Sequence, residues 1–96
     1  MSLTIIVRFH AADGKAKALK ELLLQGRDSS RESEGCEAFE LYQGKETRQQ
    51  FVFVQRWSSD EAHLANFEAK IKGSGHLAKL SQLLAKPIER AVFNLV

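Results

Sequence analysis

The sequence predicts an α+β fold, a four-stranded antiparallel sheet built in the order β-α-β-β-α-β. Three features of the chain predict it. Apolar residues at helical spacing, Ala16, Leu19, Leu22 and Leu23, follow closely on a β-rich run at residues 3–9. Two further β-rich runs, Phe39-Glu40-Leu41-Tyr42 and Phe51-Val52-Phe53-Val54, flank a polar turn at residues 43–49, as a hairpin requires. A second helical region begins after Ser58-Ser59-Asp60-Glu61 and gives way to a last β-rich run beyond Pro87.

Each element has its own local reason. The first strand leads through Ala11-Ala12-Asp13-Gly14 into the first helix, which is expected to run to about Ser33. Glu34-Gly35 stops it there, because glycine supplies the left-handed conformation that ends helices. After the hairpin, Ser58-Ser59 with Asp60 and Glu61 reads as an N-cap and an acidic first turn, both favourable to a helix N-terminus. The second helix is expected from Ala62 to Lys70. Gly73-Ser74-Gly75 interrupts it, and residues 76–85 make another helical segment with Leu77, Leu80 and Leu84 on one stripe. Lys86-Pro87 closes that segment, since proline disfavours the helical conformation of the residue before it. Residues 88–96 supply the last strand. The order is the ferredoxin-like split βαβ, whose two crossovers put the helices on one face of the sheet.

The chain has 96 residues, enough for one domain, 1–96, and too few for a second core. The net charge is +2, and the basic residues are interleaved with acidic ones: Lys15, Lys17 and Lys20 with Glu21, Arg27 and Arg31 with Asp28, Glu32 and Glu34. That is a solvated mixed-charge surface and not the basic stripe of a nucleic-acid binder. No segment approaches the roughly 18 apolar residues of a membrane span, and the N-terminal apolar run is too short for a signal peptide, so a cytoplasmic protein is expected. The single cysteine, Cys36, reads as a small hydrophobe at the start of a strand, its thiol raised by Glu34 and Glu37. Histidines and cysteine lack metal-ligand spacing, and there is no Gly-x-Gly-x-x-Gly or phosphate loop, so no cofactor is expected.

One-sided cover by helices should leave an alternating polar face, and the strands do not show one. Phe51-Val52-Phe53-Val54 is apolar on both parities, as is Ile5-Ile6-Val7. A strand apolar on both faces needs cover on both. A homodimer with its sheets packed face to face is therefore expected.

Glu34-Gly35-Cys36 and Arg56-Trp57-Ser58-Ser59, separated by the hairpin, resemble the antibiotic-biosynthesis-monooxygenase (ABM) family over nearly the whole chain. The resemblance implies a dimeric α+β barrel and a cofactor-independent monooxygenase acting on a small electron-rich aromatic, a hydroquinone or an anthrone-like polyketide. The substrate would be deprotonated and its anion would itself reduce dioxygen. Other branches of the resemblance imply isomerisation or breakdown of a small sugar-derived signalling compound, or haem degradation, for which no axial histidine can be placed. A dimeric domain that binds a ligand without turnover is the non-enzymatic alternative. Two positions depart from the family pattern: Gln55 stands where the strand usually carries a carboxylate before the tryptophan, and Phe67 where many relatives have histidine.

Phe51, Phe53, Gln55 and Trp57 share parity and project to one face of the third strand, toward an expected aromatic-lined cleft against the second helix. The same residues suit a plain core. His63 lies six residues after Trp57, with Asn66 and Phe67 at i+3 and i+4 able to border the same cleft. His63, which titrates near neutral pH, is the expected base or proton relay. Trp57 and Phe53 are expected to stack on the substrate ring and Asn66 to bind an oxygen substituent. His76, at the Gly73-Ser74-Gly75-His76 junction, is expected at a lid or anion site. His10 has no sequence partner, Tyr42 is expected at the dimer interface, and Arg8 and Arg56 are expected to pair with Glu40.

Overall fold

Side-chain alternation sorts the third strand onto two faces, and the other elements follow from which face they must cover. In the computed structural model, which describes residues 2–73 and 75–96, the strands are β1 (Leu3–His10), β2 (Cys36–Gln43), β3 (Gln50–Trp57) and β4 (Glu89–Asn94). The helices are α1 (Ala16–Arg31), α2 (Asp60–Asn66) and α3 (His76–Ser81), and a π-helical turn, Phe67–Lys72, continues α2. The sheet order is β2-β3-β1-β4 and every neighbouring pair is antiparallel. This is the α+β, ferredoxin-like arrangement read from the sequence.

Register places Val7 opposite Phe53, Ile5 opposite Gln55 and Phe9 opposite Phe51, with Phe39 on the far side of Gln55. These odd-numbered residues make the helix-facing side. Ile5, Phe51 and Trp57 are wholly buried there, and Phe53 meets Phe9 and Phe39 edge-on at 5.2 and 4.7 Å between ring centroids. Burying each such side chain contributes about 1.5–3 kcal/mol. Helix α1 answers with Leu19, Leu22, Leu23, Gly26 and Ser30, one stripe at helical spacing.

Strand β4 is shorter than the expected 88–96, and three helix ends differ from the sequence reading, each for a local reason. Helix α1 ends at Arg31, not near Ser33, and Gly35 takes its positive φ of 86° in the turn into β2, where its carbonyl accepts from the Ser58 amide at 2.8 Å. The second helix is α-helical only to Asn66; the Gly73 amide then reaches the Glu68 carbonyl at 3.0 Å, an i→i+5 bond. Helix α3 stops at Ser81 because the following residues bond to the end of β1. The Ala12 amide donates to the Leu83 carbonyl at 2.9 Å and the Ala85 amide to the His10 carbonyl at 2.7 Å. Ser74 of the expected lid lies outside the described residues.

The even-numbered residues of β1, β2 and β3, with the odd-numbered ones of β4, form the other face of the sheet, and no helix covers it. Tyr42, Val52, Arg8 and Glu89 form one cross-strand row, and Glu40, Val54, Ile6 and Ala91 the next. Ala38, Arg56, Thr4 and Phe93 make a third. The expected pairing of Arg8 and Arg56 with Glu40 is not made: register sets Val54 opposite Glu40, and among the described residues none of the three enters an ion pair. Glu40 instead holds the Tyr42 phenol above its ordinary pKa. No helix among the described residues is long and apolar enough to cross a membrane.

Candidate active site

Between the helix-facing side of the sheet and the helices lies a cavity of about 340 Å³. Helix α1 contributes Leu23, Gly26 and Ser30 to its wall, three residues of its buried stripe. The sheet contributes Val7, Phe9, Phe39, Phe53 and Gln55. Leu64, Phe67 and Ile71 border it from α2 and the π turn, and His76, Leu77 and Leu80 from α3. Gly26 leaves space where a side chain would stand: a β-carbon there would lie 3.5 Å from His76 Nε2 and 3.8 Å from Ile71 Cδ1. The wall is mostly aliphatic and aromatic, the usual chemistry of a small-molecule site.

The polar groups are few. Helix α2 starts where Ser59 Oγ accepts from the Ala62 amide at 3.1 Å, and its first turns carry His63 inward. His63 is buried, meets the edge of Trp57 at 5.5 Å, and accepts a hydrogen bond at Nδ1 from Arg90 of β4 at 3.3 Å. Asp60 stands 3.9 Å from the same guanidinium. Burial, then the Arg90 charge, pushes the His63 pKa down, against a smaller opposite pull from Asp60. Arginine only donates, so the neutral imidazole carries its proton on Nε2. Gln55, 5% exposed, uses Oε1 to accept from the Trp57 indole at 2.8 Å.

The antibiotic biosynthesis monooxygenase family model matches residues 2–70. The chain belongs to that family. Its fold is that of Rv0793 from Mycobacterium tuberculosis, with a TM-score of 0.90 at 22% identity over 100% of this chain and 96% of that one. PA3566 from Pseudomonas aeruginosa is similar at a TM-score of 0.84 and 24% identity, over 99% and 94% of the two chains. A conserved protein from Methanosarcina mazei gives 0.88 and 15% over 97% and 91%. No protein of curated function is similar at a significant level.

Within this ABM domain the cavity gathers four of the sequence-predicted site residues: His63, Phe53, Phe67 and His76. Two others stand outside its wall. Trp57, wholly buried, is held behind Gln55 and His63, so it orients those groups and is not placed to stack on a ring in the cavity. Asn66 is turned toward α1, where its Nδ2 donates to Ser30 Oγ at 3.1 Å and its Oδ1 accepts from Ser33 Oγ at 2.6 Å. It is a tie between helices. His76 donates from Nε2 to the Leu22 carbonyl at 3.0 Å, and His10 lies outside the cavity, 3.3 Å from Glu89.

Cys36 sits half-buried on the far side of Trp57, with burial first and Glu37 to a lesser degree raising its thiol. Among the described residues no three His, Cys, Asp or Glu side chains gather closely enough to hold a metal ion. Gly26 and Arg90 escaped the sequence reading, and Gln55 entered it as a residue of the cleft-facing parity and a missing carboxylate, with no site role of its own. A signal existed for Gly26: mid-helix glycine costs about 1 kcal/mol against alanine, and such a residue usually has a packing or site reason. Nothing local marks Arg90, which the β1–β4 pairing alone brings to Val7 and the cavity.

Proposed function

We propose that this protein is a cofactor-independent monooxygenase that oxidises a small electron-rich aromatic, a hydroquinone or polyketide-like compound, with dioxygen. The observation that supports it is an apolar, aromatic-walled cavity whose polar groups, His63, Arg90 and Gln55, include a histidine kept neutral. Family membership supports the reaction class. A cavity this apolar favours a flat ring over a sugar-derived ligand.

For an anthrone-like substrate, the methylene carbon loses a proton and the resulting anion passes one electron to dioxygen. The two radicals join in a carbon–oxygen bond. The peroxide then loses water as its O–O bond breaks, leaving a carbonyl, so one oxygen atom enters the product and the other leaves as water. The chain's part is to exclude water, fix the ring against Phe53 and Phe67, and handle the proton at His63. The Nε2 proton is available to the peroxide oxygen. Proton uptake occurs at Nδ1 when Arg90 releases it toward Asp60.

The working unit is a homodimer joined through the uncovered sheet face. Ile6, Val52, Val54, Tyr42 and Phe93 give that face its apolar area, and Arg8, Arg56 and Glu40 carry charges with no ion-pair partner among the described residues. Two copies related by a two-fold axis set acid against arginine across the interface. Dioxygen uptake over a panel of hydroquinones and anthrones tests the activity. Uptake above the uncatalysed rate is expected, falling on the order of 10²-fold in His63→Gln; no uptake with any member leaves a ligand-binding domain.

A further inference from the structure

The Gln55 amide has two ends, and only one is used inside the protein. The indole Nε1–H of Trp57 is a donor and nothing else, so the Gln55 atom facing it at 2.8 Å is the carbonyl Oε1. That fixes the amide's orientation. The Nε2 group, with two hydrogens to give, has no protein partner among the described residues, on a side chain 5% exposed that lines the cavity. No side-chain nitrogen or oxygen among the described residues is both fully buried and unpartnered, so the unbonded Nε2 keeps open surface where Gln55 lines the cavity. A bound molecule that covers it must accept from it, or leave it buried without a partner at a cost of about 1–3 kcal/mol.

The neighbouring polar groups face the same way chemically. With Arg90 donating to Nδ1, His63 has its N–H on Nε2, and Arg90 itself has only donors. The hydroxyl of Ser30, elsewhere on the wall, already receives the Asn66 amide. Among Gln55 Nε2, His63 Nε2 and Arg90, the groups offered are donors.

We infer that Gln55 is a specificity-determining residue, and that the cavity selects its aromatic ligand as an oxygen acceptor, a phenolate, enolate or quinone carbonyl, over the protonated hydroxyl form. This rests on the cavity being the substrate site. It adds the group that holds that anion, Gln55 Nε2 hydrogen-bonded to the ring oxygen. Trp57 is the positioning residue, acting through Oε1. A glutamate at this position would still accept from Trp57 but would turn a carboxylate oxygen toward the ligand, reversing the preference.

The test is equilibrium binding by calorimetry without oxygen, so that it is independent of turnover. The probes are 2-hydroxy-1,4-naphthoquinone, ionised at pH 7, and naphthalene, a ring of similar outline with no oxygen. The intact wild-type protein is expected to bind the quinone anion at least about tenfold more tightly than naphthalene, the worth of one charge-assisted hydrogen bond. Gln55→Glu, which keeps the Trp57 bond, is expected to lose that preference while holding naphthalene within about twofold. Gln55→Leu should weaken the anion by about tenfold without the added repulsion. Equal preference in wild type and Gln55→Glu overturns the inference, as does failure of the wild type to bind the anion. Anion preference without dioxygen uptake would instead sink the monooxygenase reading and leave this one standing.

Discussion

His63 is the residue on which the proposed chemistry turns, and its surroundings give it a pH signature. Burial and Arg90 hold its pKa below the ordinary imidazole value, so the unfolded chain takes up this proton first as the pH falls. The stability tied to the neutral ring is complete above about pH 6.5, the unfolded value, and is lost as pH falls toward the folded value. Urea titrations should show the wild-type midpoint dropping between pH 7 and pH 5 by more than that of His63→Gln; parallel curves would contradict the assignment. The sequence marked His63 through its distance from Trp57 and its helical phase. It misassigned Trp57 and Asn66 because phase says which face a residue shares and not whether another side chain stands in front of it. Gln55 and His63 stand before Trp57, and Ser30 and Ser33 draw Asn66 aside.

At the scale of elements, strand and helix order was legible because each run had a plain period and a breaker in the connection after it, Gly35 between α1 and β2 and Pro87 between α3 and β4. What tertiary bonding decides was not legible. The early end of α3 goes with a bond no sequence window contains, Ala85 to the His10 carbonyl, and the π turn at Phe67–Lys72 carries one to α1, Lys70 Nζ to the Ser29 carbonyl at 2.7 Å. The turn into β2 joins two elements tightly. A β-carbon at Gly35 would sit 2.5 Å from that of Ala62 and 2.8 Å from Ser58 Oγ, on a backbone with φ at 86°. Gly35→Ala should therefore destabilise the fold by about 2–4 kcal/mol, combining left-handed strain with overpacking. Chemical denaturation measures this, and a loss under about 0.5 kcal/mol, ordinary for a surface change, would contradict the packing described.

For the whole molecule, apolar residues on both strand parities were the legible sign that one sheet face carries apolar area the helices do not cover. The structure leaves that face without helices, with Val54 between Glu40 and Ile6 in its middle row. Sedimentation at micromolar concentration should give a dimer for the wild type and a monomer for Val54→Lys, which sets a cation in the apolar centre; a monomeric wild type would contradict the dimer. The cavity itself was less legible, since the same residues suit a filled core and the open space beside Gly26 arises only from how α1 packs toward His76 and Ile71. That glycine also supplies the most direct test. Leucine there keeps the helix and fills the space toward His76 and Ile71. Dioxygen uptake by purified protein, freed of metals and flavin, is measured with an anthrone for wild type and Gly26→Leu. Wild type should consume one dioxygen per carbonyl formed, and Gly26→Leu, folded by circular dichroism, should fall to the uncatalysed rate. Equal uptake by the two proteins would show that the oxidation does not take place in this cavity.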